Sequence, residues 1–168
     1  MANHCDNILR ITGPERLVKI AYDKATKEME EGKESLLFDW LVGKQDSDDV
    51  YQPWGTKWIS IDGVAPIEDD GDSKVVQIEF TSAWSPPVDG YYLIEKVHPD
   101  LHIEATWNEY GQAFCGRFTT EGGTDDYEYG DGEISGIPED IREMFGIIHA
   151  LEMDNFADPS ETRVQEGE

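Results

Sequence analysis

The chain has 168 residues, 38% hydrophobic and 11% aromatic, which suffices for one domain with a buried core and is unlike a wholly disordered chain. Thirty-seven acids against thirteen bases give a formal net charge of -24, which argues against direct binding to nucleic acid or anionic membranes. No run of roughly 18 apolar residues and no amino-terminal signal pattern occur, so we expect a soluble cytoplasmic protein.

The first third of the chain predicts a strand and a helix. Residues 7–12 alternate as in a strand and end at Gly13-Pro14. Pro14 and Glu15 suit the first turn of a helix, and apolar spacings of three and four residues continue it to about Glu31. Residues 36–42 form a short apolar cluster, and residues 43–49 form a polar loop.

The middle of the chain predicts an antiparallel pair, a second helix and two more strands. Residues 58–62 and 74–81 are the pair, joined through an acidic turn at 68–72. Ser85-Pro86-Pro87 is typical of a helix start, and that helix stops at Pro99. Residues 102–107 and 113–118 alternate as strands.

From Thr119 onward glycines alternate with acids, which predicts either an acidic loop or an exposed hairpin. Pro138 then opens a last helix with an apolar stripe at helical spacing, formed by Ile141, Met144, Phe145, Ile148 and Leu151. We assign residues 1–118, with an insert at about 32–53, to one domain. Residues 119–157 pack on it, and residues 158–168 are a flexible tail.

The order strand, helix, strand, strand, helix, strand is the split βαβ pattern of ferredoxin-like α+β domains. We therefore predict an antiparallel sheet with two helices on one face, plus the acidic loop and the carboxyl-terminal helix.

Five motifs in order within residues 1–118 resemble the YubB-like (Api-like) ferredoxin-like family of phages, prophages and conjugative plasmids. They are Met1–Asn7 with the following strand and Gly13-Pro14, Trp54–Trp58, Phe80–Pro87, His98–Leu101 and Glu109–Gly116. The resemblance implies a ferredoxin-like fold and a mobile-element origin. It implies no catalytic residue, and it does not extend to residues 119–168.

The aromatic and metal-binding residue types have plain structural interpretations. We expect Trp54, Trp58, Trp84 and Trp107 to pack in the core and at strand edges, because few basic residues accompany them as a nucleic-acid surface requires. His4, Cys5 and Cys115, with His98 or His102, lack the close spacing of a zinc site, and buried structural thiols are expected instead. The acidic stretches 68–72 and 125–133 do not match an EF-hand, so we predict no metal and no cofactor.

An enzymatic site is a weaker alternative. Cys115 could act as a nucleophile if His102 approached it across a hairpin, but the sequence shows no activating environment. No carboxylate pair for acid–base chemistry stands out among so many acids.

The charge itself is the functional signal. Residues 1–60 hold eleven acids and eight bases, whereas residues 61–168 hold twenty-six acids and five bases. We predict that closely spaced carboxylates, with two tyrosines that anchor the partner, form a partner-binding surface. Its residues are Asp125, Asp126, Tyr127, Glu128, Tyr129, Asp131, Glu133, Glu139, Asp140 and Glu143.

These features favour a non-enzymatic mobile-element protein that binds a basic surface of a host DNA- or RNA-binding protein. Its acids would mimic DNA and so inhibit a CRISPR effector or restriction nuclease. The alternative is an accessory interaction domain whose acidity serves only solubility.

Overall fold

A computed structural model describes residues 3–32, 35–43 and 54–147, which form an α+β fold of seven strands and four helices. In chain order these are β1 (His4–Gly13), α1 (Glu15–Glu31), α2 (Leu36–Val42), β2 (Ile59–Val64), β3 (Glu68–Asp70), β4 (Ser73–Ala83), α3 (Val88–Val97), β5 (His102–Glu109), β6 (Phe114–Thr119), β7 (Gly123–Glu128) and α4 (Glu139–Phe145). The predicted strands near 7–12, 58–62, 74–81, 102–107 and 113–118 and the helix at 15–31 are confirmed.

The strands make one open sheet in the order β2-β4-β1-β5-β6-β7, with β3 also paired to β4. All of the pairs are antiparallel. β1 lies inside the sheet, pairing with β4 along its whole length and with β5 on its other side. Within the described part of the chain, β7 is the outer strand at one edge, and β2 and β3 both pair with β4 at the other edge.

The first helix follows the local signals in the sequence. Pro14 precedes it with extended backbone, and Gly32 ends it with φ of 66°, a left-handed conformation that glycine adopts without steric cost. Val18, Ala21 and Ala25 are spaced by three and four residues and are all buried. The helix therefore lays one apolar stripe on the sheet.

The main core lies between the sheet and a layer of α1, α2 and α3. We predicted two helices on this face, and α2 is a third, since Leu37, Phe38, Leu41 and Val42 are buried there. Trp54 and Trp107 are buried as expected, and Trp58 is half-buried. Trp84, in contrast, is 47% exposed and follows the end of β4, so it does not pack in the core.

The second face of the sheet is covered where β5, β6 and β7 lie. Side chains alternate between faces along a strand, so Cys115 on β6 points away from the main core that contains Phe118. Cys115 joins Tyr129, Ile137, Ile141 and Ile147 in a separate buried cluster. The hydroxyl of Thr106 also donates to Sδ of Met144 at 3.0 Å. The segment 129–147 therefore packs opposite α1–α3.

Two loop predictions need correction. Residues 123–128 are not an acidic loop but strand β7, so the exposed hairpin is the alternative that holds. Residues 68–70 are strand β3 rather than part of a turn, because β4 extends far enough to pair with them. Ile148, Leu151 and the tail 158–168 lie outside the described residues, as does most of the insert.

Candidate partner-binding site

The predicted binding residues begin on β7, the last strand of the sheet. Gly123 has φ of 68° and reverses the chain after β6. Asp125 then pairs with Arg117, and Tyr127 pairs with Cys115. Because side chains alternate, Asp125 and Tyr127 share the face of the second cluster, whereas Asp126 and Glu128 point to the side of the three helices.

A cleft of about 310 Å³ runs beside β7 and collects five of the ten predicted residues. Its lining is Asp126, Tyr127, Glu128, Asp131, Glu133, Gly136 and Ile137. The four acids are exposed, and Ile137 is buried at the base. The cleft thus has acidic walls and an apolar floor, which suits the long alkyl stem and charged head of a lysine or arginine side chain.

Asp126 also borders a second cleft, of about 330 Å³, on the side of the helices. This cleft is lined by Gly55, Ser85, Pro86, Val88, Asp89, Phe114 and Asp126. Partial burial raises the pKa of Asp126, and the neighbouring Asp125 carboxylate adds to the rise. Asp126 therefore gains from a cation placed beside it. No sequence pattern indicated Asp89 or Phe114, because folding alone brings them to this cleft.

The remaining predicted acids lie on α4 and next to it. Glu139, Asp140 and Glu143 are exposed, as expected. Glu139 and Asp140 occupy the first turn, where the helix dipole favours negative charge. Asp140 is not free, since the Arg117 guanidinium donates to it and also lies 4.0 Å from Glu104. Arg117 thus neutralises the negative charge of Asp140.

The two tyrosines differ in their roles. Tyr127 is half-buried and packs against the second cluster, so part of its ring borders the cleft beside β7. Tyr129 is only 1% exposed, and its hydroxyl donates to Asn108 at 2.6 Å. The prediction of Tyr129 as a surface anchor is therefore wrong, because the chain turns inward after β7 and places this ring in the core.

In the acid-rich turn after β7, carboxylates accept hydrogen bonds from neighbouring residues of the same turn. Asp131 accepts the N–H of Glu133, and Glu133 accepts both the N–H and the hydroxyl of Ser135. The Ser135 hydroxyl, followed by its N–H, lowers the pKa of Glu133. Glu133 therefore stays ionised into more acidic solution than a free glutamate does.

The cysteine and histidine residues do not assemble into the sites that we considered. Asn108 faces Cys115 across the β5–β6 pair, and His102 lies six residues from Asn108 at the opposite end of β5. Cys115 is fully buried, and burial raises the pKa of its thiol to about 11. Among the described residues, no group of three or more His, Cys, Asp or Glu side chains is placed to hold a metal ion.

Within the ranges that the structure describes, no helix is long and apolar enough to cross a membrane. Comparisons of the chain with models of protein families, with curated proteins and with solved structures find no match. The resemblance to the YubB-like family therefore stays a prediction.

Proposed function

We propose that this chain is a non-enzymatic protein of a phage or other mobile element that inhibits a host nucleic-acid-binding defence protein. Its acidic surface, defined as the exposed carboxylates of residues 125–143, occupies the basic groove in which a CRISPR effector or restriction nuclease holds DNA. The complex forms in the bacterial cytoplasm.

The observation that carries this proposal is a large excess of acidic over basic side chains in one segment of the chain. Residues 119–147 contain nine acids and one base, Arg142. All eight carboxylates of the acidic surface are exposed. Among the residues that the structure describes, Asp140 forms an ion pair, with Arg117 on β6. Side chains two apart on a strand are about 6.8 Å from each other, so Asp126 and Glu128 present a regular pair of charges. Such a surface raises the association rate with basic proteins.

The fold and origin in this proposal come from topology and motifs. The elements β1, α1, β2, β4, α3 and β5, with the sheet order β2-β4-β1-β5, fit a ferredoxin-like split βαβ unit. β6, β7 and α4 extend that unit at one edge. The five motifs that resemble the YubB-like family fall within the unit and β6, and they support a mobile-element origin. The acidic surface lies in the extension.

A competition experiment tests the function. A labelled DNA duplex is bound to a purified restriction nuclease or to a guide-loaded CRISPR effector, and the chain is titrated in at low and at high salt. We expect release of DNA and loss of cleavage at low salt, with the effect weakening as salt screens the charges. Neutralising Asp125, Asp126 and Glu128 together removes three exposed pairs of about 0.5 kcal/mol each, which corresponds to about tenfold in affinity.

The matched control neutralises three acids at the other end of the sheet. Glu68, Asp70 and Asp72 are exposed on and beside β3, and their Gln/Asn variant makes the same change in net charge. We expect this control to inhibit like the unmodified chain. Equal inhibition by both triple variants and the unmodified chain would contradict the proposal that the acidic surface is the binding surface.

The accessory-domain alternative has one observation in its favour. Charged residues on an outer strand also prevent edge-to-edge aggregation, and β7 carries three acids. Under that alternative no basic protein competes, and the triple variant differs only in becoming less soluble. Measurements of solubility alongside the competition experiment therefore separate the two functions.

A further inference from the structure

On one side of the β7 backbone, no strand pairs with it among the residues that the structure describes. The N–H of Tyr129 donates to the carbonyl of Ala113 at 2.8 Å, which makes these two residues a hydrogen-bonded pair. Bonded pairs alternate along antiparallel strands, so Tyr127 and Asp125 also bond to β6. The N–H and C=O groups of Thr124, Asp126 and Glu128 consequently point away from β6. No other strand of the described chain pairs with them.

The two clefts described above flank this side of β7 and meet at Asp126. A strand added to a sheet edge sends successive side chains to opposite faces. Successive side chains of an added strand would therefore enter the two clefts in turn. One cleft contains Tyr127 and Glu133, and the other contains Asp89 and Phe114. Each cleft combines acids with an apolar surface, so each fits a lysine or arginine side chain.

The charge of the edge selects among possible occupants. β7 carries Asp125, Asp126 and Glu128 and no base. A second copy of β7 would bring the same three acids to face them, and like charges directly opposite are destabilising. Residues 148–168 contain six acids and one arginine, so their charge is equally unfavourable. A basic segment from another protein complements the edge.

We propose that β7 binds its partner by strand addition, accepting an extended lysine- or arginine-rich segment as an eighth strand of the sheet. This inference rests on the proposed function, since it specifies how the acidic surface engages a basic protein. Main-chain hydrogen bonds to Thr124, Asp126 and Glu128 supply part of the affinity, and the clefts select basic side chains.

Two synthetic probes test the mode of binding. The first is a ten-residue peptide that repeats Lys-Lys-Val-Val, so that both faces of the added strand carry lysines. The second has the same sequence with its central amides N-methylated. N-methylation removes backbone donors and keeps every charge. We expect the first peptide to bind at low salt and to slow amide hydrogen exchange at Thr124, Asp126 and Glu128. We expect the second to bind at least tenfold more weakly, without that protection.

Variants of Glu128 test the same point from the protein side. Both Glu128→Pro and Glu128→Gln remove one charge, but only proline also removes the outward N–H, and outer strands tolerate proline there. We expect the proline variant to bind the unmodified peptide several-fold more weakly than the glutamine variant does. The amide spectrum of each variant checks that the sheet is intact.

The possible outcomes separate this inference from the function on which it rests. Equal binding of the two peptides without amide protection would overturn strand addition and leave charge recognition standing. Slow exchange of the three amides in the free chain would mean that the chain itself or a second copy already fills the edge, which also overturns it. Failure of both peptides at low salt, together with failure to displace DNA, would overturn the proposed function as well.

Discussion

Tyr129 reaches from the end of β7 across β6 to β5, where its hydroxyl donates to the side-chain oxygen of Asn108 at 2.6 Å. Both side chains are buried. The bond ties the segment that carries the acidic turn to an interior strand of the sheet. It therefore fixes the position of the candidate site without forming part of its surface.

Replacing Tyr129 by phenylalanine is expected to destabilise the fold and leave charge-driven binding unchanged. The oxygen of Asn108 loses its donor, and a buried polar group without a partner costs about 1–3 kcal/mol. Denaturant titration measures the loss in the free energy of unfolding. Tyr92→Phe is the matched control, because its hydroxyl contacts Thr124 at an exposed position, and we expect a change within about 0.5 kcal/mol. Equal losses in the two variants would contradict the role of the Asn108 bond.

The sequence predicted the strands and α1 well because their apolar periodicity is strong. It left the segment of β7 open between a loop and a hairpin, because Tyr127 is the single large apolar residue there among glycine, threonine and acids. That strand depends on pairing with β6, which no local pattern encodes. The exposure of Asp125 and Glu128 follows from their charge and was predicted. The burial of Tyr129 and the cleft that Asp89 shares with Asp126 depend on tertiary packing and were not.

Glu28 is a buried carboxylate that supports the start of α2. Its Oε1 accepts the N–H of Leu37 at 2.9 Å. Burial raises its pKa above 4.5, and the backbone N–H groups of Leu37, Leu36 and Ser35 offset part of that rise. We expect Glu28→Gln to cost about 1–3 kcal/mol, because an amide N–H₂ replaces an acceptor among buried donors.

The pH dependence of this substitution has a definite sign. Since the folded-state pKa of Glu28 lies above its unfolded value of 4.5, the wild-type carboxyl contributes more stability when protonated and loses it as pH rises through the folded pKa. The free-energy gap between wild type and Glu28→Gln should therefore widen as pH falls toward 4.5. Denaturant titrations from neutral pH downward measure the gap. Glu30→Gln, at an exposed position of the same helix, is the matched control for removing one carboxylate from α1.

The two thiols should resist modification in the native protein. Cys5 and Cys115 are both fully buried. Burial raises the pKa of both, to about 11 for Cys115, with Asp126 adding to that rise. At about pH 8 roughly one Cys115 thiol in a thousand is then ionised. We expect a disulfide-exchange reagent to label neither cysteine before unfolding and both in denaturant. Rapid native labelling of Cys115 would favour the nucleophile hypothesis instead.

Gly116 is the position at which β6 can least accept a side chain. A Cβ there would lie 2.6 Å from the indole of Trp107 and 2.6 Å from the backbone oxygen of Asp125. Neither neighbour is a flexible chain end, because Trp107 is buried in the main core and Asp125 belongs to β7. Relief of the clash must therefore move β7 away from β6.

We accordingly expect Gly116→Ala to cost about 1–3 kcal/mol, the range for overpacking a well-packed site. It should also speed amide exchange along β7, because the strand loses its pairing before the rest of the sheet does. Gly136→Ala is the matched control, since a Cβ there meets nothing within 4 Å. Hydrogen exchange and denaturant titration on both variants decide the matter. Unchanged exchange at Asp125 and Tyr127 in Gly116→Ala would show that β7 does not depend on this close approach.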